Sequence, residues 1–525
     1  MKPTRSPGTD GITMKLLRDY QQDLEPALYN IVNRSIWSQQ FPSNLKTSKV
    51  LPMRKGSEPP TLPNSFRPVN IIQSAGKVIE RVVFAQVLEH LNTHGLLPHN
   101  IHGGRQGHSP VTALLSLYDN AIEEYENGKM TAILTTDQSA SFDLIDHTLL
   151  KARMKMIGFD EDSLRWITSY LSNRTQVVEI QGFQSPQRLH PPCSIIQGSV
   201  ASSVLFNIFT MDIPHVIHPD CSHTSIQEES SCKSGMVTVF VDDNSMALTG
   251  KTPTEVQTMA QTSMDTLSSH MTANLLKLNR DKTNLTLVAK PAHQREGISI
   301  KAENKIVKSE ESVKLLGAHI HQTLKWKTEI VNLSSQLQNR LQSIRQISKY
   351  SSSKILKQIA QATILGKIFY AIQLHGTLPD YLAHRIQTTI IQAAKIILGP
   401  GSWKLSTSSI LKKLGWMSYR QYEHYFSTRL ALQSVNTGTP EYISSMFPPP
   451  GIQTTRSQQA GSLRLPPWNK SISRDSYRYQ CINYLNTLPP NIRAMQPGPK
   501  LNKLLKEHTL STISPYIRNK TISTG

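Results

Sequence analysis

Hydrophobic positions along this chain recur with two different periods. In "MVTVFVDDNSMALTG" (236–250), Val237, Val239 and Val241 lead into a polar Asp-Asp-Asn, and Met246 and Leu248 follow it. Apolar residues at every second position predict two short strands. The polar triplet between them predicts a hairpin with Asp242 and Asp243 at its tip. A second strand-like run, "TAILTT", ends at Asp137 and is followed by a turn and a helical pattern through residue 159. Residues 42–72 read as a short strand, a loop and a second extended piece, and 173–213 as two strands, a loop and a helix after Gly198. Further strands are expected near 283–289 and 312–320.

The longer period marks helices. "SAGKVIERVVFAQVLEHLNTHG" (74–95) places Val78, Val82, Val83, Val87 and Leu91 on one face, with Ser74 as a cap and Gly95 as a stop. A long helix is expected over 252–278. From about 328 the pattern turns wholly helical, with Ile330, Leu333, Leu337, Leu341 and Ile344 stepping by three or four. "GPGSWKLS" (399–406) reads as a boundary, and the Pro- and Ser-containing stretch 447–468 as a flexible connector. Strands and helices in this order predict an α+β fold, with Asp137 and the Asp242–Asp243 turn on neighbouring strands.

Charge sharpens the picture. The 525 residues carry 57 Lys and Arg against 37 Asp and Glu, a net charge of +20. A surplus of this size suits a polyanionic partner, most often nucleic acid. Four cysteines and no CxxC exclude a disulfide framework and fit a reducing compartment. His215, His218, Cys221, His223 and Cys232 cluster without the spacing of a zinc module and read as a polar loop. The N-terminus has no apolar core of signal-peptide length, and no membrane span is expected.

Adjacent Asp242 and Asp243 admit two readings. Aspartates are common in turns, and paired carboxylates bind hard divalent cations. Nucleotide addition to a primer is phosphoryl transfer, which two Mg²⁺ ions about 3.5–4 Å apart can promote. Carboxylates from two adjacent strands are needed to hold them. Asp137 and Asp242 form the natural pair, with Asp243 as a third carboxylate.

Five segments then stand in a telling order: "TTDQSASFDLIDHTLL", "SIIQGSVASSVLFNIF", "FVDDNSMAL", "LLKLNRDKTNL" and "VKLLGAHIHQTLKW". They resemble the palm motifs of reverse transcriptases, and the chain is most similar to those of non-LTR (LINE-type, Jockey-like) retrotransposons. Upstream, "RSPGTDGI", "KVLPMRKG", "FRPVNIIQSAGKVIERVV" and "HGGRQGHSPVTALL" resemble the finger motifs of that family. The resemblance covers about residues 5 to 400. "LGWMSYRQYEHY", "TPEYISSMF" and "NTLPPNIRAM" resemble the tail that often follows.

The resemblance implies a right-hand polymerase with fingers (1–128), a palm with an antiparallel sheet (129–327), a helical thumb (328–400) and a C-terminal region (401–525). By resemblance, Asp137, Asp242 and Asp243 are the catalytic, metal-binding carboxylates, Asp243 acting less directly. Phe142 resembles the steric gate that favours deoxynucleotides, with core packing as its other reading. Gln197 and Gly198 resemble the pair beside the incoming nucleotide. Lys55 and Arg67 resemble the basic residues that hold the triphosphate, and Lys282 the lysine that protonates the leaving pyrophosphate. Leu316 and Gly317 resemble the primer-grip turn. Arg105 resembles a template contact, with a structural role as its alternative.

The implied cofactor is Mg²⁺, two ions, with Mn²⁺ as a substitute. The implied partners are an RNA template, a DNA primer and dNTPs. The implied location is the nucleus, after a cytoplasmic ribonucleoprotein stage. Three departures from the family stand out. "ASSVLF" replaces the usual Gly-Pro turn, Ser141 precedes Phe142 where Ala is usual, and the chain opens directly at the finger motif. Because the family's reading frame ordinarily carries an endonuclease first, a truncated copy, a fragmentary gene model or a domain-only product is expected. Two rival readings are a catalytically inactive nucleic-acid-binding relic and a group II intron-type maturase.

Overall fold

Alternation and helical periodicity resolve into elements much as the sequence predicts. The computed structural model describes residues 4–56, 59, 61–217, 235–291, 297–448 and 462–515. The elements up to the central hairpin are, in order, α1 (Met14–Asp19), α2 (Gln21–Trp37), β1 (Thr47–Arg54), β2 (Phe66–Ile71), α3 (Ser74–Thr93), α4 (Pro110–Glu126), β3 (Met130–Gln138), α5 (His147–Met156), α6 (Glu161–Leu171), β4 (Thr175–Ile180), β5 (Phe183–Gln184), β6 (Arg188–Leu189), α7 (Val200–Thr210) and α8 (Ile213–Ile217). Strands β7 (Gly235–Phe240) and β8 (Asp243–Gly250) form that hairpin, and β9 (Leu278–Val288) follows the helix Pro253–Ala273. Two small hairpins come next: β10 (Ser299–Ala302) with β11 (Lys305–Lys308), and β12 (Ser312–Leu315) with β13 (Ala318–His321). The β10–β11 hairpin is absent from the sequence reading. Its strands have four residues each, too few for a period to show.

The fold is α+β, and its centre is a four-stranded antiparallel sheet in the order β7-β8-β3-β9. Every residue of β3 is buried, because the sheet is covered on both faces. Alternation divides two cores. Ile133 and Ala247 pack with Leu114 and Leu117 of α4 and with the helices beyond residue 327. Ala132, Leu134, Met246 and Leu248 pack with Phe206 of α7 and Leu267 of the helix Pro253–Ala273. Beside this sheet, β1 pairs antiparallel with β2 and parallel with β4.

Two expectations need correction. The buried stripe of α3 is Ile79, Phe84, Val87 and Leu91, while Val82 is exposed and Val78 and Val83 are partly buried. Ser74 does not cap α3; its hydroxyl donates to the Ile12 carbonyl at 2.8 Å, tying the helix to the N-terminal segment. The stretch Val200–Ile217 is long and apolar enough to cross a membrane by length and composition alone. Two thirds of it is nevertheless buried in the core, and it is interrupted between α7 and α8.

The region after residue 400 is part of the same body. Tyr419, Ala431, Cys481, Leu485 and Leu505 share one core with Leu337, Leu341, Ile386 and Ile390 of the preceding helices. Phe447 and Trp468, at the two ends of the expected connector, are both buried in it. Residues 449–461 of that connector, and His218, Cys221, His223 and Cys232 of the expected polar loop, lie outside the described residues.

Candidate active site

The central hairpin turns in two residues. Strand β7 ends at Phe240, Val241 takes a left-handed φ of 57°, and Asp242 completes the turn. Asp243 is therefore not at the tip; it opens β8. Across the sheet, β3 and β8 run antiparallel with Asp137 directly opposite Asp243. Paired residues project to the same side of a sheet. Counting along both strands puts this pair on the same side as Ile133 and Ala247.

Negative charges gathered in one place disfavour ionisation of a carboxyl beside them. Burial, then Asp242 and Asp137, push the Asp243 carboxyl up to about 6. Burial and Asp137 also push Asp242 up, against the opposing pull of Lys282 and Arg67. A cation already answers this charge. On β9 the two-residue step from Thr135 to Asp137 is matched by five residues, from Asn284 to Asn279. The resulting bulge carries Lys282 back over the carboxylates, and its ammonium donates to Asp137 Oδ2. That bond, with the attraction of all three carboxylates, raises the Lys282 pKa.

Gln197, Gly198 and Phe142 meet close by. The Phe142 ring stacks on Phe206 with centroids 5.0 Å apart, and its carbonyl accepts from Ile195 N at 2.8 Å. Asn70 of β2 donates its backbone N–H to the Gln197 carbonyl at 2.9 Å. Gly198 sits at φ +107°, where a Cβ would stand 2.7 Å from the Asn70 carbonyl oxygen. Only glycine fits so close a backbone approach in that conformation. The Gln197 amide lies 3.5 Å from Asp143. Lys55 and Arg67 come from adjoining ends of β1 and β2, and their charges act on Asp143 and Asp242 respectively.

Glu80 holds this arrangement from behind, and sequence reading missed it. Fully buried in α3, it accepts from Tyr170 Oη (2.8 Å), Ser199 Oγ (2.9 Å) and Val200 N (3.3 Å). It thereby fixes the N-terminus of α7 immediately after Gly198. The signal available was a carboxylate at the centre of an apolar helix face, four residues before Phe84.

Three other expected residues lie elsewhere. Leu316 and Gly317 form the β12–β13 turn, both with positive φ, as a tight two-residue hairpin requires. Tyr370 Oη donates to the Leu316 carbonyl, which docks the turn against the following helices. Arg105 is turned inward. Its guanidinium donates to the Pro98 carbonyl at 2.8 Å, and burial lowers its pKa. Its structural reading is the one the geometry favours.

Among the described residues, no three His, Cys, Asp or Glu side chains converge closely enough to hold an ion unaided. The donor set still suits Mg²⁺, which binds through one or two carboxylates and otherwise keeps water and phosphate ligands. The ammonium on Asp137 and the raised pKa of Asp242 and Asp243 mark a place where positive charge is wanted.

Comparison with known proteins agrees with this geometry. Residues 53–320, just over half of the chain, match the family described as reverse transcriptase (RNA-dependent DNA polymerase). The chain is 23% identical over 396 residues to the probable RNA-directed DNA polymerase from transposon BS of Drosophila melanogaster, covering 75% of this chain and 43% of that one. It is 21% identical over 415 residues to the RNA-directed DNA polymerase from mobile element jockey of the same fly, covering 78% and 44%. A probable RNA-directed DNA polymerase from transposon X-element is 22% identical over 402 residues, covering 75% and 42%. The chain thus spans less than half the length of these curated relatives. Among solved structures, an apo telomerase from Candida tropicalis truncated from its C-terminal domain matches 60% of each chain at a TM-score of 0.38 and 10% identity, too loosely to place any residue.

Proposed function

Because the chain belongs to the reverse transcriptase (RNA-dependent DNA polymerase) family, we propose that it extends a DNA 3′-end on an RNA template, drawing on dNTPs. The observation that carries this reading is the register of β3 on β8, which sets Asp137 against Asp243 with Asp242 beside them. In this reading the sheet β7-β8-β3-β9 is the palm, residues 1–128 the fingers and 328–400 the thumb.

Asp137 and Asp242, with Asp243 in support, would hold two divalent ions, Mg²⁺ by preference and Mn²⁺ as a substitute. When bound, such ions raise the nucleophilicity of a primer 3′-hydroxyl and neutralise a leaving pyrophosphate. The chain's own residues do the rest. Gly198, held against Asn70, lets the backbone approach the incoming nucleotide closely. Phe142, fixed by its stack on Phe206, would act as the gate against a ribose 2′-hydroxyl. Arg67 and Lys55 offer a fork and a point charge to triphosphate oxygens.

Lys282 has two tasks on one side chain. Without nucleotide it neutralises Asp137. The carboxylates beside it raise its pKa, so it waits protonated; a proton donor to pyrophosphate must start in that form. The Leu316–Gly317 turn, docked on Tyr370, would contact the primer. Primer extension on an RNA template, with Asp242→Ala alongside, tests this reading.

A further inference from the structure

A second nucleic-acid site is suggested by an uneven charge distribution. Residues 330–422 contain twelve Lys and Arg and a single acid, Asp380. Arg420 pairs with that acid at 3.2 Å. This segment therefore carries eleven of the chain's twenty net positive charges. Within it lies a groove of about 460 Å³ between the end of the helix Lys327–Ile347, the helix Asp380–Leu398 and the turn Pro400–Lys404. None of its lining residues belongs to the carboxylate site or to the Leu316–Gly317 turn.

The lining has the parts of a nucleotide site. Trp403 is 65% exposed, with the Lys395 ammonium 4.8 Å from its ring centroid. Exposed Arg345, from the end of the helix Lys327–Ile347, and half-buried Ile396 are also part of the lining. Two glutamines supply an independent sign. Gln387 is only 6% exposed, and its Oε1 accepts from Tyr419 N at 2.7 Å. That bond fixes the amide's orientation and leaves Nε2 buried without a partner among the described residues. On the same groove, Gln392 Oε1 is also buried with no partner among the described residues. A buried donor and a buried acceptor left unpaired are costly unless a ligand satisfies them.

We propose that this groove binds an unpaired nucleotide of single-stranded nucleic acid, with the base stacked on Trp403, its edge meeting Gln387 and Gln392, and its phosphates on Arg345 and Lys395. Aromatic stacking beside a basic track is how single strands are held without sequence preference. A base edge offers the donor and acceptor that the two glutamines lack. Duplex would not serve, since its bases are stacked and paired. The site does not depend on the polymerase reading, and the two can fail separately.

The test is fluorescence anisotropy of the full chain with short labelled oligo(rU), oligo(dT) and a blunt RNA–DNA hybrid. Trp403 lies on the surface, so Trp403→Ala removes the platform with little effect on folding, which circular dichroism checks. Trp403→Phe restores a ring. The expected result is about tenfold weaker binding of a single strand by Trp403→Ala, recovery with Trp403→Phe, and less than twofold change on the hybrid. Loss on both oligo(rU) and oligo(dT) assigns recognition to base and phosphate; loss on RNA alone adds the 2′-hydroxyl. Unchanged single-strand affinity in Trp403→Ala, or an equal loss on the blunt hybrid, overturns the proposal.

Discussion

Asp137 and Asp243 stand directly opposite each other on neighbouring antiparallel strands, and Lys282 bonds to Asp137 from the third strand of the group. An ion entering this site must take Asp137 from the ammonium. Lys282→Ala should therefore enlarge the thermal stabilisation produced by Mg²⁺, because competition is removed. The same variant should lower kcat for primer extension, because the proton donor is gone. Thermal melts with and without Mg²⁺, beside single-turnover kinetics, check both. An unchanged Mg²⁺ shift would mean that Lys282 does not share the carboxylates with metal.

Gly198 is held at φ +107° against the Asn70 carbonyl, with no room for a Cβ. Gly198→Ala should cost about 1–3 kcal/mol through backbone strain. It should also raise KM for dNTP more than it alters template affinity. Urea denaturation and steady-state kinetics at fixed template give the two numbers. A variant with parental KM would separate this backbone approach from nucleotide binding.

Glu423 makes folding sensitive to pH. It is buried, and burial pushes its carboxyl up to about 7 despite the pull of Arg420. Between roughly 4.5, where a free glutamate titrates, and 7, the folded protein keeps a proton that the unfolded chain has released. The resulting stability is whole at the acid end and lost as pH rises through 7, about 3 kcal/mol in all. Glu423→Gln should flatten the fall of Tm between pH 5 and pH 8. A parallel fall in both proteins would remove Glu423 as its cause.

Arg478 joins the C-terminal region to α4. It lies 3.4 Å from Asp119 and 3.1 Å from Glu123 and stacks over Trp468. Asp119, buried, is raised to about 6 by burial even with this partner. Arg478→Met should destabilise by about 3 kcal/mol at pH 8, because a buried charge is left alone. Asp119→Asn in the same background should recover part of that loss. Denaturation of the single and double variants decides whether this contact holds the C-terminal region in place.

The elements that carry chemistry were legible in sequence because they obey a short period. Val237, Val239, Met246 and Leu248 announced the hairpin, and the Ile330–Ile344 spacing announced the long helix. The exact partner was not legible. Sequence paired Asp137 with Asp242, whereas register pairs it with Asp243, since only the structure shows where a two-residue turn begins. Partnerships across long separations were also hidden. Glu80 meets Ser199, and Arg478 meets Asp119, across 119 and 359 positions, and no local pattern records either. The segment after residue 400 looked like an appendage because its buried faces are matched to helices encoded far upstream.

The account rests on the carboxylates at the β3–β8 junction. The most direct measurement is extension of a DNA primer on an RNA template by the full chain with dNTPs, with and without Mg²⁺, beside Asp137→Asn and Asp242→Ala. The account predicts Mg²⁺-dependent extension by the parent and a loss of roughly a thousandfold or more in each variant, with template binding retained. Extension that survives Asp242→Ala, or a parent that binds template but extends nothing, would contradict it.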